Sequence, residues 1–142
     1  MRSRASLSAS SVAASQAFVA ASISAAVTRR PDASSFSRSN GLAVLPMVNF
    51  SGEPAQDYFA EGMTETLIAG LARVTALRVS SRTSVMQFKG SRKSLKEIAH
   101  ELNVDAIIEG SVQRFDDKMH VTVRLIDAAS EENLWSNEYN RD

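Results

Sequence analysis

The sequence predicts an α/β domain: a mixed β-sheet in the order β-α-β-α-β-β-β with helices packed on it, preceded by a disordered Ser/Ala-rich leader. Three observations carry this. An uninterrupted apolar run at residues 42–45 is followed by an amphipathic helical stretch. A second helical stretch has its own start and stop signals and leads into another apolar run. The last third of the chain alternates apolar and polar side chains between turn formers, as strands with one wet face do.

The first strand is the run Leu42, Ala43, Val44 and Leu45, closed by Pro46. Its lack of alternation predicts burial on both faces. Residues 49–54, Asn-Phe-Ser-Gly-Glu-Pro, are rich in turn formers and are expected to be a loop leaving that strand. In the helix that follows, Ala60, Met63, Leu67, Leu71 and Val74 recur at steps of three and four, with Glu61, Glu65 and Arg73 off the stripe. Residues 77–80 read as a short second strand, followed by Arg82, Thr83 and Ser84 in a polar, basic loop.

The second helix opens on Ser94 with Glu97 three residues on, the pattern of a reciprocal capping box. Leu95, Ile98, Ala99 and Leu102 supply its apolar face, and Asn103 suits a left-handed terminator. Ala106 begins a third strand that runs to about Phe115. The turn at 116–118 leads to Met119, Val121, Val123 and Leu125 alternating with His120, Thr122 and Arg124. A last strand near residues 134–139 places Trp135 and Tyr139 on one side. Strands joined through helices are expected to be parallel, and the last three to form an antiparallel meander.

Composition narrows the chemistry. Of 142 residues, 44% are hydrophobic, and 16 basic side chains balance 16 acidic ones, which argues against a protein that tracks nucleic-acid phosphates. With no cysteine there is no disulfide, no thiol nucleophile and no thiolate-held metal. The charge is unevenly placed: residues 1–40 carry five arginines against Asp32 alone. Three readings of this leader stand: a disordered extension, an export signal or degenerate membrane segment with small residues at Ser24 and Ala26, and an organelle transit peptide. An export signal would place the rest in the periplasm or at a membrane; otherwise the cytoplasm is expected.

Several blocks then bear a family resemblance. They are residues 42–46 with Asn49, residues 51–54, and Asp57 to Glu65, read Asp-Tyr-Phe-Ala-Glu-Gly-Met-Thr-Glu. Further matches are residues 82–84, 109–112, 125–127 and 134–136 with Tyr139, Arg141 and Asp142. In this order they resemble the TolB-like, FlgO-like bacterial domain over nearly all of residues 41–142. The resemblance implies a non-catalytic α/β module sited after a membrane segment and before tetratricopeptide repeats. Such proteins carry a class III nucleotide cyclase or a winged-helix regulator at their other end. The family has Asp where Glu53 stands, has a clearer spanning helix, and continues past Asp142 into another helix, so residues 41–142 are expected to be a C-terminally truncated form.

Function is expected in binding, with no catalytic residue, metal or cofactor assigned. His100 and His120 have no second imidazole or carboxylate at a metal-ligand spacing. Glu53, Asp57 and Glu61 read as acids complementing a helix dipole. Open α/β sheets place sites at the carboxyl ends of parallel strands, so Asn49, Ser51, Arg82, Thr83 and Ser84 are the candidate contacts. Arg92, Lys93 and Ser94 at the second helix start are candidate anion contacts, although no phosphate-loop motif precedes that helix. The partner expected is protein, through tetratricopeptide or other signalling domains at an exposed sheet edge, with membrane contact only through the leader or a fused segment. The alternatives are a small-ligand or nucleotide-binding domain, and a fragment of a cyclase polypeptide.

Overall fold

The computed structural model describes residues 21–22, 25, 41–52, 54–73, 77–115 and 118–141. The leader therefore lies outside the described residues except for Ala21, Ser22 and Ala25, as do Val74 and the tip of the hairpin at 116–117.

The elements are β1 (Gly41–Val44), β2 (Val48–Asn49), α1 (Ala55–Ala72), β3 (Arg78–Val79), α2 (Arg82–Met86), α3 (Leu95–Leu102), β4 (Ala106–Phe115), β5 (Lys118–Asp127) and β6 (Asn133–Arg141). The strands form the expected mixed sheet in the order β3-β1-β4-β5-β6, with β2 also beside β4. β1 is parallel to both β3 and β4; β4, β5 and β6 are antiparallel in turn. The first crossover runs outward from β1 to β3 and the second returns past β1 to β4. Right-handed connections therefore put α1 on one face and α2 with α3 on the other.

This layering explains the unbroken apolar run in β1. Leu42 and Val44 join the core under α1, with Met63, Leu67 and Leu71 of the helix and Ile108 of β4. Ala43 and Leu45 join the opposite core, with Val85, Ile98 and Ile107. Leu42, Met63, Leu67 and Leu71 are fully buried; at roughly 1.5–3 kcal/mol for each such side chain, this face is a main source of stability. Val121, Val123 and Leu125 of β5 point into the α1 core, while Arg124 on the alternate face is exposed.

Two expectations are corrected. Residues 49–54 are not loop throughout, because Val48 and Asn49 form β2 and resume pairing with Ser111 and Val112. Pro46 lacks an N–H and interrupts the ladder, so two short strands share one lane. Residues 82–84 are likewise not loop: they open α2, whose Ser81 side chain accepts the Ser84 N–H. Five residues with a single buried side chain, Val85, are too few to show a helical period.

Helix α3 forms as its sequence signals dictate. Ser94 and Glu97 make both halves of the capping box, and Asn103 closes the helix in the left-handed region at φ 56°, ψ 55°. Trp135 and Tyr139 sit opposite Leu125 and Val121, half-buried against the α1 core.

Candidate interaction surface

The lane formed by β1 and β2 contains a bulge that sets the chemistry of its end. Val44 is opposite Ile108 and Val48 is opposite Ser111, so three residues of this lane face two of β4. One extra residue reverses the alternation of side chains. Val48 would otherwise share the face of Leu42 and Val44; instead it turns to the side away from α1 and is 48% exposed. Asn49 turns toward α1, where its side-chain amide donates to Asp57 Oδ1 at 2.8 Å.

Local hydrogen bonds fix the bulge. The Met47 N–H leaves the ladder and donates to Thr64 Oγ1 at 3.0 Å, while that hydroxyl donates to the Ala60 carbonyl at 2.9 Å. Thr64 is buried. Beyond β2, the Phe50 N–H donates to the Val112 carbonyl, the Ser51 N–H donates to Asn49 Oδ1, and Ser51 Oγ accepts the Arg114 N–H at 3.2 Å. The backbone is thus pinned to α1 on one side and to β4 on the other. Phe50, on this pinned backbone, is 64% exposed, and Tyr58 in the first turns of α1 is 82% exposed. Together with Val48, they are large apolar side chains held in water within eleven residues of chain.

The expected site residues fall into three groups. Asn49 and Ser51 lie in this pinned turn. Arg82 and Thr83 are exposed in the first turn of α2, and the half-buried Ser84 spends its N–H on Ser81 and its carbonyl on the Gln87 side chain. Arg92 is exposed; Lys93 pairs with Glu101 and its ammonium lies 5.7 Å from the Phe88 ring centroid; Ser94 is occupied by the capping box. β1 and β3 are parallel neighbours, so the chain leaves both at the same end of the sheet.

Sequence reasoning did not single out Val48, Phe50 or Tyr58. The available signal was apolar residues within or beside a run of turn formers, where burial has no use for them.

Several ionisable groups are engaged in structural pairs. Glu61 meets Lys89 at 3.2 Å, and Arg124 lies 3.8 Å from Glu109. His120 Nδ1 contacts Asn140 Oδ1, with its Nε2 3.5 Å from Glu138. The Glu97 carboxyl is held below its ordinary pKa, first by the Ser94 backbone N–H, then by the Ser94 hydroxyl, with Lys93 adding to the effect. Among the described residues no three His, Asp or Glu side chains converge as a metal site. No helix among them is long and apolar enough to cross a membrane.

No protein-family model matches the chain. A Rhizobium meliloti (strain 1021) protein named "Putative adenylate cyclase 3" is 38% identical over 100 residues, which are 70% of this chain and 17% of that protein. The chain therefore spans about a sixth of the length of that relative. Among solved structures, lipoprotein GNA1162 from Neisseria meningitidis matches with a TM-score of 0.59 and 18% identity, over 72% of this chain and 79% of that one. The LpoB C-terminal domain from Salmonella enterica matches with a TM-score of 0.58 and 18% identity, over 73% and 83%. Over nearly three quarters of its length the chain is thus similar in fold to the GNA1162 and LpoB domains.

Proposed function

We propose that residues 41–142 form a non-catalytic protein-docking module of the TolB-like, FlgO-like kind, working within a longer bacterial signalling polypeptide. The observation that carries this is the exposure of Val48 and Phe50 on a backbone pinned at both sides, with Tyr58 also exposed ten residues after Val48. Solvent-facing apolar groups on a fixed backbone give a partner affinity at a reduced ordering cost. Asn49 and Ser51 border them and would orient the bound surface.

The match to a cyclase-named protein supports the signalling context, since it covers only 17% of that protein. In this reading nucleotide cyclisation belongs to other parts of such a polypeptide, and this unit receives a protein signal or passes one on. Residues 1–40 then serve as a separate leader preceding the docking unit.

The test is capture of a purified tetratricopeptide-repeat segment from a related cyclase polypeptide by the full chain, immobilised. Binding that disappears in the Val48→Ser, Phe50→Ser double variant, with the melting temperature unchanged, supports the proposal. No binding by the wild-type chain, or binding indifferent to both substitutions, overturns it.

A further inference from the structure

β6 is the outer strand of the sheet. β5 pairs with one side of it, and among the described residues no strand lies on the other. A strand in this position presents alternate N–H and C=O groups outward, and long edge strands are ordinarily guarded by proline, lysine or several charges. β6 is nine residues long, and between Leu134 and Asn140 it contains no proline and no lysine, with Glu138 as its one charged residue.

We propose that β6 pairs antiparallel with β6 of a second copy of this chain, about a two-fold axis at Asn137. The sequence of the strand is self-complementary in that register and poorly matched in its neighbours. Trp135 and Tyr139 each lie two residues from Asn137 and share the α1 face of the sheet. Centring on Asn137 therefore sets Trp135 opposite the second copy's Tyr139, and the reciprocal pair forms with it. Directly opposed aromatic residues are favourable cross-strand partners.

The same register sets Glu138 opposite Ser136, so no like charges meet. Centring on Glu138 instead would oppose two carboxylates and set Tyr139 against Asn137 and Trp135 against Arg141, so the aromatic pair is lost. Centring on Ser136 would set Trp135 against Asn137. A slip of one residue would put the α1 face of one copy beside the opposite face of the other. Trp135 and Tyr139 are only half-buried within one copy, so the second copy covers what remains exposed. This surface is distinct from the Val48 and Phe50 cluster, and the two proposals stand or fall separately.

Sedimentation velocity of the full chain over a concentration series tests the pairing. The wild-type chain is expected to form a dimer. Asn137→Lys and Asn137→Asp, at an exposed position, each place like charges across the axis and are expected to be monomeric at concentrations where wild type is dimeric. An equimolar mixture of the two restores the dimer, because lysine then faces aspartate. Circular dichroism verifies that each variant is folded.

A second measurement does not depend on those variants. The chain has no cysteine, so Asn137→Cys supplies a single thiol. Directly opposed strand residues have Cα atoms about 4.5–5.5 Å apart, within disulfide reach. Mild oxidation is expected to give a covalent dimer far faster than for Arg92→Cys, an exposed position in the turn before α3. The proposal is overturned by a monomeric wild-type chain, by a dimer indifferent to Asn137→Lys, by a mixture that stays monomeric, or by equal cross-linking at both cysteine positions. The Val48→Ser, Phe50→Ser variant is expected to remain dimeric, which separates this result from partner capture.

Discussion

Met47 lies directly on Gly110: a β-carbon added to that glycine would meet the Met47 terminal methyl at 2.9 Å and the Thr122 carbonyl oxygen at 2.3 Å. The contact explains why a glycine occupies the middle of β4, where it would otherwise weaken a strand. It also shows how the bulge at Pro46 is seated, since the extra residue brings the Met47 side chain over β4 in the α1 core.

Gly110→Ala is expected to destabilise the fold by about 1–3 kcal/mol, the usual cost of overpacking. Replacing Met47 by Val in the same chain should not restore stability, because the nearer obstruction is backbone of β5. Urea denaturation measures both, as a lower midpoint with an unchanged slope.

Thr64 carries a different kind of constraint. Its hydroxyl accepts the Met47 N–H that the bulge removes from the ladder. Thr64→Val keeps the shape and leaves that buried N–H unpaired, at an expected cost of about 1–3 kcal/mol. Thr64→Ser retains the acceptor and should lose much less. Equilibrium unfolding of the pair separates the hydrogen bond from packing.

The α3 start predicts a pH dependence. Glu97 has its folded-state pKa lowered, chiefly by the Ser94 backbone N–H. A depressed carboxylate contributes stability that is fully present above its ordinary value of 4.5 and is lost as pH falls through the lower folded value. Ser94→Ala should cost about 1 kcal/mol at neutral pH by loss of the cap. In the same variant the part of acid destabilisation that comes from Glu97 should shrink. Thermal melts from pH 7 to pH 3 show whether the gap between wild type and variant narrows in acid, as expected.

These elements differ in how plainly the sequence announces them, for physical reasons. Helix α3 is legible because both its ends rest on local chemistry, with Ser94 and Glu97 three residues apart and Asn103 able to adopt the left-handed region. β1 is legible because burial on two faces requires an unbroken apolar run. β2 is hidden because its pairing depends on residues more than sixty positions away and on a bulge that no local pattern records. Helix α2 is hidden by its brevity, and only Ser81 with Ser84 hints at its cap. The interaction surface was half legible: Asn49 and Ser51 follow from the sheet rule, whereas the exposure of Val48 follows only from the reversed alternation after Pro46.

Asn103 offers a test of a left-handed position. Its φ of 56° is accessible to Asn and Gly and strained for a β-branched residue. Asn103→Gly should leave stability nearly unchanged, while Asn103→Val should lose about 1–2 kcal/mol. The Asn103 carbonyl also accepts from Arg78 at 2.6 Å, so distortion there should loosen the β3 edge, seen as faster amide exchange at Arg78 and Val79.

Val48 and Leu42 belong to the same lane of the sheet and should respond oppositely to truncation. Leu42 is fully buried, and Leu42→Ala is expected to cost about 2–5 kcal/mol. Val48 and Phe50 are exposed, so Val48→Ser with Phe50→Ser should change stability by no more than about 0.5 kcal/mol. Capture of a partner should show the reverse order, with the exposed pair abolishing it and a temperature-compensated Leu42→Ala chain retaining it. A large loss of stability on replacing the exposed pair would mean that the fold itself needs these side chains. The reason to assign them to a partner would then be gone.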